Sequence, residues 1–358
     1  SRLQRILTIE KELSLRDEEV TIHKLKELYD IKHKGTSGIK DPVEAIELMI
    51  ERKKGLVKDD VLKDYRSLAK HMKSFIQKES KHATINDIDN RFGSSFQQYL
   101  TVTDIVPYRD QTDQTLKYRP MAKNTIGKQL KNLKVLMRFC LDEGLIKNNQ
   151  LTKLSPPSEV SDDIALSEVE LQKIEALELE AGSKHDEIRD FFLIGCETGL
   201  RYSDLKRLSS ANLDLEQRIL TIRTQKSNKP VKIPVSLRVK RILDKRLGRF
   251  PKSYNSVSFN VEIKEISKES GLLDSVVKTT TRGNEINEKA IPKWQMVSSH
   301  TCRRTFCTIQ FKSGMPTILI RRISGHAKES DFLRYIKIGE EEAAEMMLDF
   351  WAKQNKLR

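Results

Sequence analysis

The sequence predicts a mainly helical chain with a small β component, an α+β fold in two principal domains. Three observations predict it. The chain is 358 residues long, which suits two domains better than one. Apolar residues recur at helical spacing through most of it, while stretches that read as strands are few and short. A polar, proline-containing run, "NNQLTKLSPPSEVSDD" (148–163), parts two such regions. The resulting division is an N-terminal helix and linker over 1–40, a helical domain over 41–150 and a linker over 151–163. A second domain follows over 164–338, and a tail helix over 339–358.

Residues 1–31 mix charge with Leu and Ile, and "KHKGTSGIK" (32–40) is a basic, glycine-containing linker. In "DPVEAIELMIERKKG", Asp41 suits an N-cap, Pro42 the first turn, Glu44 a capping box and Gly55 the end. The helix in "DDVLKDYRSLAKHMKSFIQK" places Tyr65, Leu68, Met72 and Phe75 on one face. Lys63, Arg66, Lys70 and Lys73 repeat that spacing about 200° away, on the opposite face. In "NTIGKQLKNLKVLMRFCLDEG" the buried stripe is Ile126, Leu130, Leu133, Met137 and Leu141, with Lys131, Lys134 and Arg138 to another side. Asn124 reads as its N-cap and Gly144 as its end. Both basic stripes suit a phosphate backbone; a merely solvated face would carry the same pattern.

Charge points the same way. The chain has 65 Lys+Arg against 51 Asp+Glu, a formal net charge of +14. A polyanion, nucleic acid first, is the partner such a balance favours, although a basic surface also serves solubility. The cysteines, Cys140, Cys196, Cys302 and Cys307, form no CxxC pair. They read as reduced, buried thiols of a cytosolic protein, with no zinc site. No apolar run approaches the length of a membrane span, and no signal peptide is visible. The chain begins with Ser, which reads as a fragment or a trimmed chain.

The second domain opens at "ALSEVELQKIEAL", where Ser167 and Glu170 suit a capping box. A helix is expected from Asp186 to Thr198. "RILTIRTQKSNKPVKIPV" reads as two strands about a polar turn with Lys226 at the tip, and 273–297 as a further hairpin. From His300 the pattern is helical again.

Four segments here carry residues fit for chemistry. In "ETGLRYSDLKRL", Arg201 follows the helix-ending Gly199, and Ser203 suits the cap of a short helix bearing Asp204. In "SHTCRRTFCTIQFKSG", His300 and Arg303 share a face in the first turn. Cys302, Phe306 and Ile309 form the buried side there, leaving Arg303 outside the core. "TQKSNKPVKIPV" holds Lys226, and "ISGHAKESDFLRYIKI" holds His326 and Tyr335. Phe332 and Ile336 are the better core candidates, and Tyr335 lies beside them. Singly, each residue fits a surface role equally well.

As a set they suit a phosphodiester. Two arginines would bind its non-bridging oxygens, and a histidine would assist them or manage the tyrosine proton. Tyr335 would attack phosphorus and Lys226 would protonate the departing 5′ oxygen. No carboxylate cluster suggests Mg²⁺ and no P-loop is present. No metal or other cofactor is therefore expected.

In these motifs the sequence resembles the tyrosine recombinases, the phage-integrase family, over most of its length and most strongly at 186–358. "TGLRYSDL" resembles the family's first arginine box, "HTCRRTF" its His-x-x-Arg box and "SGH" its Gly-His box. "FLRYIKI" resembles its nucleophile segment and "TQKSNKPVKIPV" its lysine hairpin. All five occur in the family's order. The resemblance implies Arg201 and Arg303 as phosphate ligands, Lys226 as general acid, His300 and His326 as assistants, and Tyr335 as nucleophile. Asp204 matches a supporting acidic position. Arg304 stands where the family often has histidine and is not expected to be catalytic. "ETGLRYSDL" and "FLRYIKI" look most like integrases of Bacteroidetes mobile elements.

The implied activity is cleavage and rejoining of DNA through a 3′-phosphotyrosyl link and a Holliday junction, integrating and excising such an element without metal or ATP. The implied form is a C-shaped clamp on duplex attachment sites. Four copies would assemble through the amphipathic, acidic tail "GEEEAAEMMLDFWAKQNKLR", which equally suits docking on its own domain. DNA-bending and excision accessory proteins are implied partners, and the bacterial cytoplasm and nucleoid the implied location. Residues 1–40 look like the remnant of an arm-binding domain. A type IB topoisomerase, a non-catalytic DNA-binding accessory protein and a metal-dependent nuclease are the alternatives.

Overall fold

The computed structural model describes residues 39–355 apart from 80, 81, 110–113, 226 and 227, together with residues 6–8, 10, 11, 20–22 and 25. Most of the 1–40 segment therefore lies outside the described residues. The chain forms two compact units. One comprises Ser1–Ser161 with Thr279–Glu288, the other Asp162–Lys278 with Lys289–Arg358.

The first unit is built on helices α1 (Pro42–Lys53), α2 (Asp59–Glu79), α3 (Asn90–Val102) and α4 (Lys123–Asp142). Asp41 caps α1, accepting from the Val43 and Glu44 amides, and Pro42 opens it. Leu62, Tyr65, Leu68, Met72 and Phe75 of α2 are buried, and Phe75 meets Phe92 edge-on at 5.3 Å. A hairpin that sequence periodicity did not suggest, β1 (Val106–Arg109) and β2 (Leu116–Arg119), joins α3 to α4. Its strands are too short and too charged to alternate visibly.

Three details differ from expectation. Helix α4 begins two residues earlier than predicted, with Ala122 rather than Asn124 as its cap. Asn124 instead grips the later chain, accepting from Glu159 N at 2.9 Å and donating to Glu159 O at 3.0 Å. Leu141 is 39% exposed, because the core ends before the last turn. Cys140 faces inward there, and Ile146 closes that end of the core after the chain reverses at Gly144, φ 71°. The polar run 148–163 is not free of the core: Leu151 and Leu154 pack into it, and Pro157 O passes over Gly127 so closely that a Cβ would lie 2.0 Å from it. Two apolar residues among polar neighbours are too few to show in composition.

The second unit surrounds α6 (Lys184–Thr198), which is flanked by α5 (Glu168–Glu175). Ser167 and Glu170 form the expected capping box of α5. After the short α7 (Tyr202–Leu205), strands β3 (Leu213–Asp214), β4 (Ile219–Arg223) and β5 (Pro230–Pro234) make an antiparallel sheet in that order. Helices α8 (Leu237–Lys245) and α9 (Ser256–Glu269) follow, then the hairpin β6 (Ser275–Arg282) and β7 (Glu285–Pro292), of which Thr279–Glu288 belongs to the first unit. Helices α10 (Ser299–Lys312), α11 (Thr317–Ser324), α12 (Glu329–Leu333) and α13 (Glu340–Asn355) complete the chain. The buried Arg238 on α8 meets three carboxylates, Glu168, Glu175 and Glu197. No helix among the described residues is long and apolar enough to cross a membrane.

Candidate active site

Two helix ends make the floor of the site. Helix α6 stops at Gly199, whose φ of 61° suits glycine. A Cβ there would also lie 2.3 Å from Phe306 Cδ1, so glycine is required twice over. The turn delivers Arg201, half-buried, at the start of α7. Helix α11 stops in the same way at Gly325, φ 68°, and delivers His326. The last carbonyls of both helices carry partial negative charge.

Arg303, on the first turns of α10, spans these two ends. Its Nη1 donates to Gly199 O at 2.9 Å and to Ser324 O. Expected outside the core, Arg303 is only 1% exposed. The helical period correctly set Cys302 and Phe306 inward, but the gap between α6 and α11 receives the guanidinium as well. Its Nε and Nη2, and Nη1 of Arg201, are buried and meet no hydrogen-bond acceptor among the described residues. Arg201 Nη2 reaches Gly325 O at 3.4 Å. Burial first, then the charge of Arg201, pulls the Arg303 guanidinium down to about 10, which the approach of Tyr335 partly offsets. Two neighbouring cations with N–H groups that meet no acceptor among the described residues could together receive a tetrahedral anion.

Tyr335 stands at its edge, partly buried. The ring centroid lies 5.4 Å from Cζ of Arg303, and the His326 ring lies 4.7 Å away. Phe332 is fully buried and anchors the segment, as its spacing predicted. Thr308, unremarked in the sequence, holds the backbone on both sides of the tyrosine. Its Oγ1 donates to Tyr335 O at 3.1 Å and accepts from Lys337 N at 3.2 Å. Ser324 Oγ donates to Ile320 O at 2.6 Å and lies 2.8 Å from His326 Nδ1. With its one proton so used, Ser324 accepts from Nδ1–H, which puts the neutral ring's lone pair on Nε2.

His300 is exposed beside the same cluster. Crowding of its ring by protein atoms, then the charges of Arg304 and Arg303, hold it below the ordinary 6.5. Asp204 is 1% exposed and accepts from Gln225 N at 2.8 Å. It thereby fixes the backbone next to Lys226, which itself lies outside the described residues. Ser203 is not the cap of α7; that position falls to Arg201, because the helix starts at Tyr202.

In the first unit Lys63, Arg66, Lys70 and Lys73 on α2 are all exposed, as are Lys131, Lys134 and Arg138 on α4. Lys134 is partly engaged, donating to Leu154 O at 3.0 Å. Sequence reading missed Arg119, which stacks on Tyr108 with Cζ 4.7 Å from the ring centroid. No group of three His, Cys, Asp or Glu side chains among the described residues is arranged to hold a metal ion.

Two family models match the chain: "Phage integrase family" at residues 166–342 and "Phage integrase SAM-like domain" at 43–155. No curated protein matches it in sequence. Among solved structures, a Tn1549 transposon integrase in complex with a circular intermediate DNA is 18% identical, with a TM-score of 0.60 over 87% of this chain and 99% of that one. XerH, a site-specific recombinase bound to its difH substrate, is 14% identical, TM-score 0.57, over 81% and 80%. A lambda integrase dimer bound to a core site is 17% identical, TM-score 0.54, over 78% and 89%. These likenesses concern the fold. The two matched models together span most of the sequence, and the chain belongs to the phage-integrase family, the tyrosine recombinases that cut and rejoin DNA at specific sites.

Proposed function

We propose that Arg201 and Arg303 bind the scissile phosphate of a DNA attachment site and that Tyr335 attacks it. The observation that carries this is the buried Arg303 guanidinium beside the tyrosine ring, its Nε and Nη2, like Nη1 of the half-buried Arg201, meeting no acceptor among the described residues. The Tyr335 oxygen would bond to phosphorus as the bond to the 5′ oxygen breaks. The phenolic proton would leave towards a histidine, and Lys226 would protonate the 5′ oxygen. The product is a 3′-phosphotyrosyl link and a free 5′-hydroxyl; attack by another strand's hydroxyl reverses the step without an energy source. His326, oriented through Ser324 so that Nε2 can accept, suits receipt of the phenolic proton. Asp204 supports the lysine hairpin through Gln225.

The basic faces of α2 and α4 would track the duplex backbone, and strand exchange would proceed through a Holliday junction during integration and excision of a mobile element. The wording of the first arginine box and the nucleophile segment favours an element of Bacteroidetes type. Helix α13 exposes Met347, Leu348, Phe350 and Trp351, each at least half exposed. That apolar surface supports docking on a neighbouring copy in a tetramer, although Lys312 also pairs with Glu342 of the same chain. Accessory proteins that bend DNA or assist excision fit the same reading, as does action at the nucleoid.

The test is a nicked suicide duplex of the element's attachment site, incubated in EDTA and resolved on denaturing gels. A covalent protein–DNA adduct that forms with the wild type and is lost in Tyr335→Phe is expected. An adduct that persists in Tyr335→Phe moves the nucleophile elsewhere.

A further inference from the structure

Arg304, the residue next to the buried arginine, departs from the family's usual histidine and carries no role in the reading above. Its surroundings give it one. Its Cζ lies 5.6 Å from the Tyr335 ring centroid, almost as near as that of Arg303. Its Nη2 donates to Asp163 Oδ2 at 2.6 Å, and the arginine side chain is only 16% exposed. The segment bearing Asp163 is itself held to α10, because Leu166 N donates to Thr305 Oγ1 at 3.0 Å. Asp163, its side chain 32% exposed, is thus a counter-ion on a segment tied to α10, and it holds the guanidinium beside the ring.

The nucleophile needs such help. Tyr335 follows the five-residue α12 and is only partly buried, so its own helix gives its ring little support. A planar cation laid against a tyrosine face restricts the ring without accepting its hydroxyl proton. We propose that Arg304, tethered by Asp163, is a positioning residue that holds the Tyr335 ring in its attacking orientation. This rests on the assignment of Tyr335 as nucleophile. Arg304 would act through the tyrosine and need not touch DNA.

Single-turnover cleavage of the nicked duplex, measured beside duplex affinity and thermal unfolding, tests it. Arg304→Gln is expected to slow cleavage about tenfold or more, with affinity changed less than about threefold. Arg304→Lys, which keeps the charge but not the planar face, should recover part of that loss. Asp163→Asn, which releases the tether and leaves Arg304 in place, should fall between wild type and Arg304→Gln. Wild-type cleavage rates in Arg304→Gln overturn the proposal. So does a rate loss matched by an equal loss of affinity or of folded protein, which would make Arg304 an ordinary contact. Failure of the nucleophile assignment shows differently, as an adduct in Tyr335→Phe or none with the wild type.

Discussion

Two buried arginines in the second unit should answer the same substitution in opposite ways. Arg238 is 7% exposed and meets Glu168, Glu175 and Glu197. Arg303 is 1% exposed, meets two carbonyls, and has no acceptor for Nε and Nη2 among the described residues. A guanidinium drawn from its ordinary value down to about 10 is disfavoured in its charged form by about 3 kcal/mol. A cation with a lowered pKa destabilises the fold at every pH below the lowered value, so this cost is present in full at pH 7. Arg303→Met removes it and gives up the bonds to Gly199 O and Ser324 O, together about 1–3 kcal/mol. The two nearly cancel, and stability should stay within about 2 kcal/mol of wild type. Arg238→Met strands carboxylates instead. Glu168 is half exposed and relieves itself, so the loss should sit near the low end of the usual range, about 3 kcal/mol, or about 6–12 °C in Tm. Cleavage should fall about 10³-fold or more in Arg303→Met, because two preorganised donors are removed. Thermal unfolding and suicide-substrate cleavage measured on both variants decide it. If Arg303→Met unfolds as early as Arg238→Met, Arg303 is a structural tie and the anion-site reasoning fails.

His300 lies below its ordinary 6.5, so it is neutral at pH 7 and its protonation opposes folding. Cleavage and stability should both be level above about pH 6.5 and decline as pH falls below it; Arg304→Gln, which removes a repelling charge, should move the decline to higher pH in a pH–rate profile. Asp204→Asn weakens the bond to Gln225 N and should slow cleavage about tenfold while duplex affinity holds, read in single-turnover assays. Replacing Arg66, Lys70 and Lys73 with Ala should lower the slope of log affinity against log salt by about 0.9 for each phosphate no longer neutralised. Lys134→Ala should lower it less, since Lys134 already donates to Leu154 O.

What could be read in the sequence was what neighbours decide. Asp41 and the Ser167–Glu170 pair cap their helices because the partners lie within three residues. The apolar stripe of α2 and the paired strands β4 and β5 are likewise local patterns. What could not be read depends on distant residues. Gly199 looked like a helix end, but the 2.3 Å approach of Phe306 is a second constraint that only folding brings to it. Thr308 has no distinguishing neighbourhood in the chain, yet it bridges the backbone around Tyr335. Asp163 and Arg304 stand far apart in sequence and form one ion pair. Arg303 is the most instructive case. Helical spacing gives a face, not the depth of the cleft that face enters, and a charged residue is by default assigned to water. Among the described residues the acceptors number two while the guanidinium can donate five hydrogen bonds, and the remaining donors are shut away from solvent. A buried cation left short of acceptors weakens the folded protein unless an anion completes the set. The shortfall, visible only in three dimensions, is the physical reason to expect a phosphate at that point.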